Sequence, residues 1–385
     1  MSTDADFILK VHGRIAQIGR DAWDACAAPT GDPFVGFDFL NACEEAGCAV
    51  EAQGWGPRHL SLHGPDDAVL GVMPLYLKGH SQGEYVFDHA WADAYERAGG
   101  RYYPKLLSAV PFTPVTGPRL LNAPETDAAT VGAALLQGAR TLCDRTGASS
   151  LHVNFPSADQ WRLMGEQGLL LRQDMQYVWR NDGYAAFDDF LAALSSSRRK
   201  TIRRERRDAQ AGLDIRVLTG GDITEAHWDA FHAFYLDTGD RKWGRPYLNR
   251  AFFSLIGERM SDRIALVMAF DGERPIAGAL NFIGRDALYG RQWGTLEDRP
   301  FLHFELCYYQ AIEFAIERGL SRVEAGAQGE HKMARGYLPT PVYSAHHIAD
   351  PLLREPVAAY LDQERPAVAA EIEAMTAECS PFRSA

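Results

Sequence analysis

The amino-acid sequence predicts an α/β (α+β) fold with two tandem domains, residues 1–183 and 184–385, each a mixed sheet flanked by helices. The length of 385 residues exceeds what one hydrophobic core usually supports. In the first half an apolar hairpin pattern precedes alternating helix and strand patterns. The second half has a three-strand pattern followed by an apolar helix and another strand, so the two halves are built in a similar way.

Hairpin and helix signals alternate through the first half. Residues 58–63 (RHLSLH) alternate apolar and polar side chains, and the turn sequence GPDD leads into VLGVMPLYLK, which predicts a hairpin. The other predicted elements are a strand at 7–18, a helix from Asp21, a helix at 89–98, a Pro/Gly-rich segment at 101–121, a helix at 127–146, a strand at 150–155 and a helix at 157–167.

The second half carries the stronger signals. RIALVMAF, PIAGALNFI and ALYGRQW are separated by short turns, which predicts a three-stranded meander. The helix at 301–318 is apolar almost all round and is therefore predicted to be buried. The other predicted elements are helices at 186–211, 225–236 and 248–260, a strand at 321–327, a strand at VYSAHHI and two final helices separated by Pro366.

Composition excludes several classes of protein. The formal net charge of −12 argues against general duplex DNA binding, which needs a broad basic face. No apolar run is long enough to cross a bilayer, and the acidic start lacks a signal-peptide pattern, so we expect a cytoplasmic protein. The six cysteines form no CxxC pair and no zinc-ligand spacing, which predicts reduced thiols and no metal site.

One short segment concentrates positive charge. In SSSRRKTIRRERRDAQAG (195–212), seven of the ten residues that follow the three serines are basic. If the serines cap a helix, its first turn carries cations against the helix dipole, at a cost of about 0.3–1 kcal/mol each. An anion at that point would offset this cost. The predicted phosphate-binding residues of this segment are Arg198, Arg199, Lys200 and Arg203.

The alternative for this segment is a solvated helical face. A helix that runs unbroken from Phe187 would leave residues 198–207 in water, and an Arg204–Asp208 pair at i,i+4 spacing supports it. Apolar periodicity, however, places Arg198 on the same side as Leu194 and Ile202. We therefore expect at least one arginine of this segment to be partly enclosed.

Five stretches of the chain resemble the FemAB-like "peptidoglycan biosynthesis/recognition" family of bacterial proteins, whose fold is that of the GNAT acyltransferases. They are HAWADAYERAGGRYYPKLLSAVPFTPVTGPRLL (89–121), LSSSRRKTIRRERRDA (194–209), KWGRPYL (242–248), LHFELCYYQAIEFAIERGL (302–320) and GAQGEHKMARGYLPTPVYSAHHI (326–348). The resemblance implies two tandem GNAT-like domains and transfer of an acyl group to an amine. It also implies acyl-CoA or aminoacyl-tRNA as a co-substrate, with no tightly bound cofactor.

The chain departs from the usual CoA-binding loop. GNAT enzymes hold the CoA pyrophosphate with a Q/R-x-x-G-x-G/A loop, and the candidate here runs from Arg291 through Gly294 to Leu296. Leucine replaces the last small residue, and an acidic segment precedes the helix, with Asp298 as the expected cap and Pro300 at the first helical position. This departure weakens the case for CoA and fits the Fem-type pattern better.

Catalytic candidates lie in two segments, residues 328–337 and the apolar helix that contains Glu305. The segment QGEHKMARGY (328–337) follows a predicted strand and is rich in titratable groups, as expected at an active-site edge. In Fem-type enzymes a lysine of the similar segment is thought to assist transfer, a role that would fall here to Lys332 or Arg335; a solvated polar turn is the alternative. The predicted catalytic residues are Glu305, His331, Lys332 and Tyr337, and the predicted donor-binding residues also include Arg291 and Arg335.

Glu305 has two interpretations. It lies on the apolar helix, and buried carboxylates are rarely left without a partner. It is either a general base or one half of an ion pair with an arginine such as Arg291. Because no Ser/Cys–His motif is present, we expect the acceptor to attack the acyl group directly.

The first half supplies the predicted substrate-binding residues. Polar residues alternate with aromatic ones ahead of a rigid Pro/Gly loop, a pattern suited either to a substrate cleft or to a packed interface. These residues are Asp93, Tyr95, Tyr102, Tyr103, Lys105, Thr113 and Thr116, with Trp243 from the second half.

The resemblance thus implies an N-acyltransferase that uses an amine acceptor related to a cell-wall precursor. One alternative keeps the enzyme and makes aminoacyl-tRNA the donor. The other is a non-catalytic protein that recognises a peptidoglycan-like or other amine ligand.

Overall fold

Contact density divides the chain into two units. The computed structural model describes residues 7–242, 246–326 and 329–383. Unit 1 runs to Asp174 and includes Val342–Ala369, whereas unit 2 comprises Met175–Pro341 and the residues from Ala370 onward. The division at residue 174 precedes the predicted domain boundary at 183, which remains a prediction.

Unit 1 contains a small antiparallel sheet and a larger mixed sheet. The small sheet has the order β1-β3-β4-β7, and the larger one has the order β15-β8-β6-β5-β2, in which only β6 and β8 pair in parallel. The strands are β1 (Ile8–His12), β2 (Trp55–Pro57), β3 (His59–His63), β4 (Val69–Met73), β5 (Tyr76–Lys78), β6 (Lys105–Ser108), β7 (Leu121–Asn122), β8 (Ser150–Asn154) and the end of β15 (Leu338–Ile348).

The helices of unit 1 cover these sheets. They are α1 (Arg20–Ala27), α2 (Phe37–Glu45), α3 (His89–Arg97), α4 (Ala128–Thr146) and α5 (Ala158–Glu166). The apolar face of α4 packs against β3, β4 and β8, and its residues Leu135, Leu136 and Ala139 are fully buried. Burial of one such leucine contributes about 1.5–3 kcal/mol.

Unit 2 is built on the predicted meander. The strand order β10-β11-β12-β13-β14-β9 is antiparallel except for the parallel pair β13/β14. The strands are the end of β9 (Leu170–Arg180), β10 (Asp214–Thr219), β11 (Ile264–Asp271), β12 (Arg274–Ile283), β13 (Ala287–Thr295) and β14 (Arg322–Glu324).

The helices of unit 2 include the predicted buried one. They are α6 (Phe187–Ala193), α7 (Ser196–Gln210), α8 (Glu225–Lys242), α9 (Arg250–Arg259), α10 (Leu302–Phe304) and α11 (Gln310–Glu317). A π-helical turn, Glu305–Tyr309, joins α10 to α11. Residues from α6, α10, α11 and the turn share one buried core with Trp179. None of the helices within the described ranges is long and apolar enough to cross a membrane.

Two predicted helix boundaries are wrong. The helix expected at 186–211 breaks at Leu194, whose backbone is extended because its buried side chain and the Ser195 N–H engage the C-terminal segment near Pro381. The two final helices are one, α12 (Pro351–Cys379), with Pro356 and Pro366 inside it. Both prolines are exposed, so water can reach the backbone carbonyls that they leave without a donor.

Candidate functional site

The basic helix α7 presents most of its cations to water. Arg198 and Lys200 are exposed, Arg199 is half-buried, and Arg203 is 60% exposed and pairs with Asp188 at 3.1 Å. Arg198 is therefore not on the enclosed side that apolar periodicity indicated, whereas Arg206 of the same helix is partly buried, as expected of at least one arginine. The break at Leu194 resets the helical phase, so the buried positions of α7 are Ile202, Glu205 and Ala209.

Glu205 makes a buried ion pair with Arg335. The guanidinium Nη2 of Arg335 lies 2.8 and 2.9 Å from the two carboxylate oxygens, and the Tyr309 hydroxyl also donates to Glu205. Arg335 covers the Phe304 ring at 3.4 Å and donates to the His331 carbonyl. Arg335 thus makes its contacts with other residues of the protein interior, and its predicted role in donor binding has no support from this geometry.

Glu305 makes a second buried ion pair, with Arg206. Its side chain is 0% exposed and accepts hydrogen bonds from Arg206 at 3.1–3.2 Å and from Gln210 and Gln310 at 2.8 Å each. Arg206 also pairs with Glu313 at 2.6 Å. An ion pair was one of the two interpretations of Glu305, but its partner is Arg206 rather than Arg291. Its use as a general base remains a prediction that these contacts do not favour.

Lys332 is a buried lysine without a carboxylate contact among the described residues. It lies on the turn Glu330–Arg335, is 4% exposed, and donates from Nζ to the carbonyls of Ala325 (2.6 Å) and Gly326 (3.0 Å). Burial is the main cause that lowers its pKa to about 7, and the nearby charge of Arg291 lowers it further. Lys332 can therefore lose and regain a proton near neutral pH.

The other predicted catalytic residues surround this turn. His331 is exposed, packs against both the Phe304 and Tyr308 rings, and has Nε2 3.0 Å from the Tyr308 hydroxyl. Tyr337 is fully buried and donates to the Tyr308 carbonyl at 3.3 Å, and burial raises its pKa well above the usual value. His331 can meet a ligand from solvent, whereas Tyr337 supports the ring of Tyr308.

The segment matched to the CoA loop lies in a strand. Gly294 is part of β13, opposite Gly278 of β12, and a Cβ at position 294 would lie 2.2 Å from the Phe234 carbonyl oxygen of α8. The helix begins at Leu302 rather than at Pro300, and its capping residue is Phe301 rather than Asp298. Because α8 fills the space beside Gly294, this glycine does not lie in an open loop of the kind that holds the CoA pyrophosphate in GNAT enzymes.

Gly294→Ala should destabilise the protein. The added methyl group meets helix backbone, which cannot move aside as a flexible side chain can, so we expect a loss of about 1–3 kcal/mol in the free energy of unfolding. Urea denaturation would measure it, with Gly221→Ala as the control, because no atom lies within 4 Å of a Cβ at position 221. Equal stability of the two variants would contradict close packing at Gly294.

In unit 1, two predicted substrate residues belong to a buried charged cluster. Tyr102 and Lys105 are both fully buried, and both donate to Asp88. Sequence reasoning missed Lys78 and Glu84 in this cluster. The strand pattern YLK could have predicted that Lys78 is buried, because side chains alternate along a strand and Lys78 lies on the same face as the core residue Tyr76.

The remaining predicted residues of unit 1 are dispersed. A shallow cavity of about 400 Å³ is lined by Tyr95, Arg101 and Ser149, and the Tyr95 hydroxyl donates to Asp350 at 2.7 Å. Asp93 is exposed, Tyr103 bonds to Ser81 at 2.8 Å, Thr113 donates to the Pro111 carbonyl at 2.9 Å, Thr116 is half-buried, and Trp243 lies outside the described residues.

Comparisons with known proteins confirm the predicted resemblance and fold class. FemX is 12% identical over 91% of this chain and 100% of that chain, with a TM-score of 0.52. L-PGS from Bacillus licheniformis is 9% identical over 86% of this chain and 96% of that chain, with a TM-score of 0.51. At these identities the likeness shows the fold alone. No curated protein matches the sequence.

A sequence profile of one family covers nearly the whole chain. The profile is that of FemAB-like proteins, described as peptidoglycan biosynthesis/recognition, and it matches residues 14–384. The chain therefore belongs to the FemAB-like family.

Proposed function

We propose that the protein is an acyl- or aminoacyltransferase that joins its donor to an amine, with Lys332 as the proton acceptor. The observation that carries this proposal is the buried Lys332 ammonium, held by two backbone carbonyls, whose pKa of about 7 suits proton transfer at neutral pH. The family description points to a cell-wall precursor as the source of the acceptor amine.

The chemical step needs only one proton acceptor. The acceptor nitrogen attacks the carbonyl carbon of the donor, a C–N bond forms, and the ester C–O bond breaks. The proton lost by the nitrogen passes to Lys332 and then to the leaving oxygen. In its neutral form Lys332 has two N–H groups, which match the carbonyls of Ala325 and Gly326, and this leaves its lone pair available.

An aminoacyl ester of tRNA is the donor that we propose in place of acyl-CoA. Two observations support it. The space beside Gly294 is filled by helix α8. In addition, Arg198, Lys200 and Arg204 project from α7 into water and have no acidic partner among the described residues, as expected of a surface that meets a phosphate backbone.

The triple variant Arg198→Ala/Lys200→Ala/Arg204→Ala tests this donor surface. If each cation meets one phosphate, tRNA binding should weaken most at low salt, and the slope of log K against log salt should fall by about 3. Filter binding across a salt series measures the slope. Arg162→Ala removes another exposed arginine, on α5, and should leave the slope unchanged. An unaltered slope in the triple variant would remove α7 from the donor site.

Amide formation is the direct test of activity. Labelled aminoacyl-tRNA and labelled acyl-CoA would each be incubated with a panel of primary amines and muropeptide precursors. We expect amide product from the aminoacyl ester only. Product from acyl-CoA would overturn the donor assignment but keep the transferase.

A recognition protein without catalysis is the second candidate. The ion pair of Glu305 with Arg206 favours it, because that pair removes the predicted general base from the chemistry. Binding of a muropeptide with no amide product from any donor would support this candidate against the transferase.

A further inference from the structure

Two lysines lie side by side in the interior of unit 1. Lys78 of β5 and Lys105 of β6 are paired in register, so their side chains leave the same face of the sheet. Both are 0% exposed. The segment Gly79–Asp88, which has no helix or strand, covers them and inserts Glu84 and Asp88, which are 3% and 1% exposed.

The contacts within this cluster are unequal. Lys105 donates to Glu84 at 2.8 Å and also to Asp88, so it is held by two carboxylates. Lys78 Nζ donates to the Gln82 carbonyl at 3.3 Å, lies 3.8 Å from Glu84 Oε1, beyond hydrogen-bond distance, and 3.6 Å from the centroid of the Trp55 ring. Lys105 is therefore fixed, whereas Lys78 is weakly held.

A cluster of this kind is costly if it serves only the fold. Replacing buried ion pairs with apolar side chains of similar volume is often neutral or stabilising by about 1–4 kcal/mol. The four charged side chains here come from two strands and a loop, which an apolar core could join equally well. A binding role accounts for the cost.

Three acceptor oxygens in the cluster receive no hydrogen bond from any residue that the structure describes. They are Glu84 Oε1, Asp88 Oδ1 and Asn154 Oδ1. The Asn154 amide lies 3.5 Å from the Glu84 carbonyl, which places it beside the same segment. Buried polar atoms of folded proteins are nearly always paired, so three together indicate a missing donor.

We propose that unit 1 contains a binding site for a primary ammonium group, formed by Glu84, Asp88 and Asn154 beneath the segment 79–88. A primary ammonium carries three N–H donors, which equals the number of unpartnered oxygens. The Trp55 ring, over which the Lys78 ammonium lies, is the kind of surface that attracts cations. The site does not depend on Lys332 or on transferase activity.

Charge balance supports the site. Burial lowers the pKa of Lys78 to about 7 and raises that of Glu84 to about 7. Above pH 7 the cluster holds the cation Lys105 and the anions Glu84 and Asp88, a net charge of −1 that one ammonium neutralises. Below pH 7 Lys78 is charged and Glu84 is neutral, so the net charge is +1 and the ligand is repelled.

The other titratable groups around the cluster keep one state across the range from pH 6 to pH 8. Burial lowers the pKa of the histidines, so they stay neutral, and raises that of the tyrosines, while Lys105 stays charged and its proximity keeps Asp88 ionised. These groups are His80, His152, His346, Tyr102, Tyr103, Lys105 and Asp88. The pH dependence of binding should therefore come from Lys78 and Glu84.

Calorimetric titration of the full chain with methylammonium tests the proposal. We expect binding at least ~10-fold tighter at pH 8 than at pH 6, because Lys78 and Glu84 each lose a proton as the pH rises through this range. Tetramethylammonium has the charge but no N–H donor and should not bind. Equal binding of the two ions, or no binding of methylammonium at pH 8, would overturn the proposal.

Two variants assign the residues. Glu84→Gln should weaken methylammonium binding at pH 8 at least ~10-fold, whereas Lys78→Met should strengthen binding at pH 6 because it removes the competing internal cation. Lys10→Met, which alters an exposed pair with Asp67 in the same unit, is the control.

Should Glu84→Gln fail to fold, hydrogen exchange of residues 79–88 in the unmodified protein tests the site instead. Methylammonium should slow this exchange, and tetramethylammonium should not. An equal effect of both ions would contradict the site.

Discussion

Lys332→Met is expected to lower turnover by roughly 10²–10⁴-fold, the usual contribution of a positioned acid or base. The variant should remain folded, because methionine matches the length of the lysine stem and removes a charge that the interior disfavours. Steady-state kinetics with the aminoacyl ester donor measures the loss. Lys332→Arg keeps the positive charge but cannot release a proton near neutrality, so it should be as inactive as the methionine variant.

The pH dependence of Lys332 has a definite sign. Its folded pKa of about 7 lies below the ordinary value of 10.5, so the neutral base is present above pH 7 and turnover should rise as pH increases through 7. Between these two values the unfolded chain binds the extra proton, so the stability of the unmodified protein should increase with pH there. In Lys332→Met, neither turnover nor stability should show this increase with pH. Normal turnover, or a large loss of melting temperature in this variant, would remove Lys332 from the mechanism.

Arg206→Met should destabilise the protein by about 3–5 kcal/mol. The substitution leaves Glu305, which is 0% exposed, with amide donors only, and an uncompensated buried charge costs about this much. Chemical denaturation measures the loss. Arg203→Met is the matched control on the same helix, since its exposed pair with Asp188 should contribute less than about 1 kcal/mol.

Glu305→Gln distinguishes a structural carboxylate from a general base. If Glu305 serves the ion pair, the variant should unfold at a lower temperature yet turn over normally at temperatures where it is folded. A large loss of turnover at unchanged melting temperature would instead make Glu305 the base. A loss below about 1 kcal/mol in Arg206→Met would also contradict the structural role.

Local patterns predicted most of the fold. The meander strands, the buried helix and the helix at 127–146 follow directly from apolar periodicity and turn residues. The break at Leu194 could not be predicted, because it depends on a contact with a segment almost 190 residues away in sequence. The intact α12 was missed because the exposure of Pro366, which makes a helical proline tolerable, is a property of the folded chain.

The candidate site was less predictable than the fold. Lys332 lay in a segment that the family resemblance singled out, but its burial and its carbonyl partners are tertiary features. Glu205 and Arg206 sit in a run of charged residues, where a shift of helical phase decides which side chains face inward. Glu84 lies in an irregular loop, and neither composition nor spacing indicates that such a loop folds its carboxylate beneath the surface.

The π-helical turn sets which side chains meet on either side of it. Its backbone bond joins Gln310 N–H to the Glu305 carbonyl, five residues apart, so the amide of Gln310 comes directly above the Glu305 carboxylate. A regular α-helix advances about 100° per residue and would rotate Gln310 away. The one additional residue of the π-helical turn thus places the Gln310 amide where it donates to the Glu305 carboxylate, and a relative that lacks this residue would need a different donor for that carboxylate.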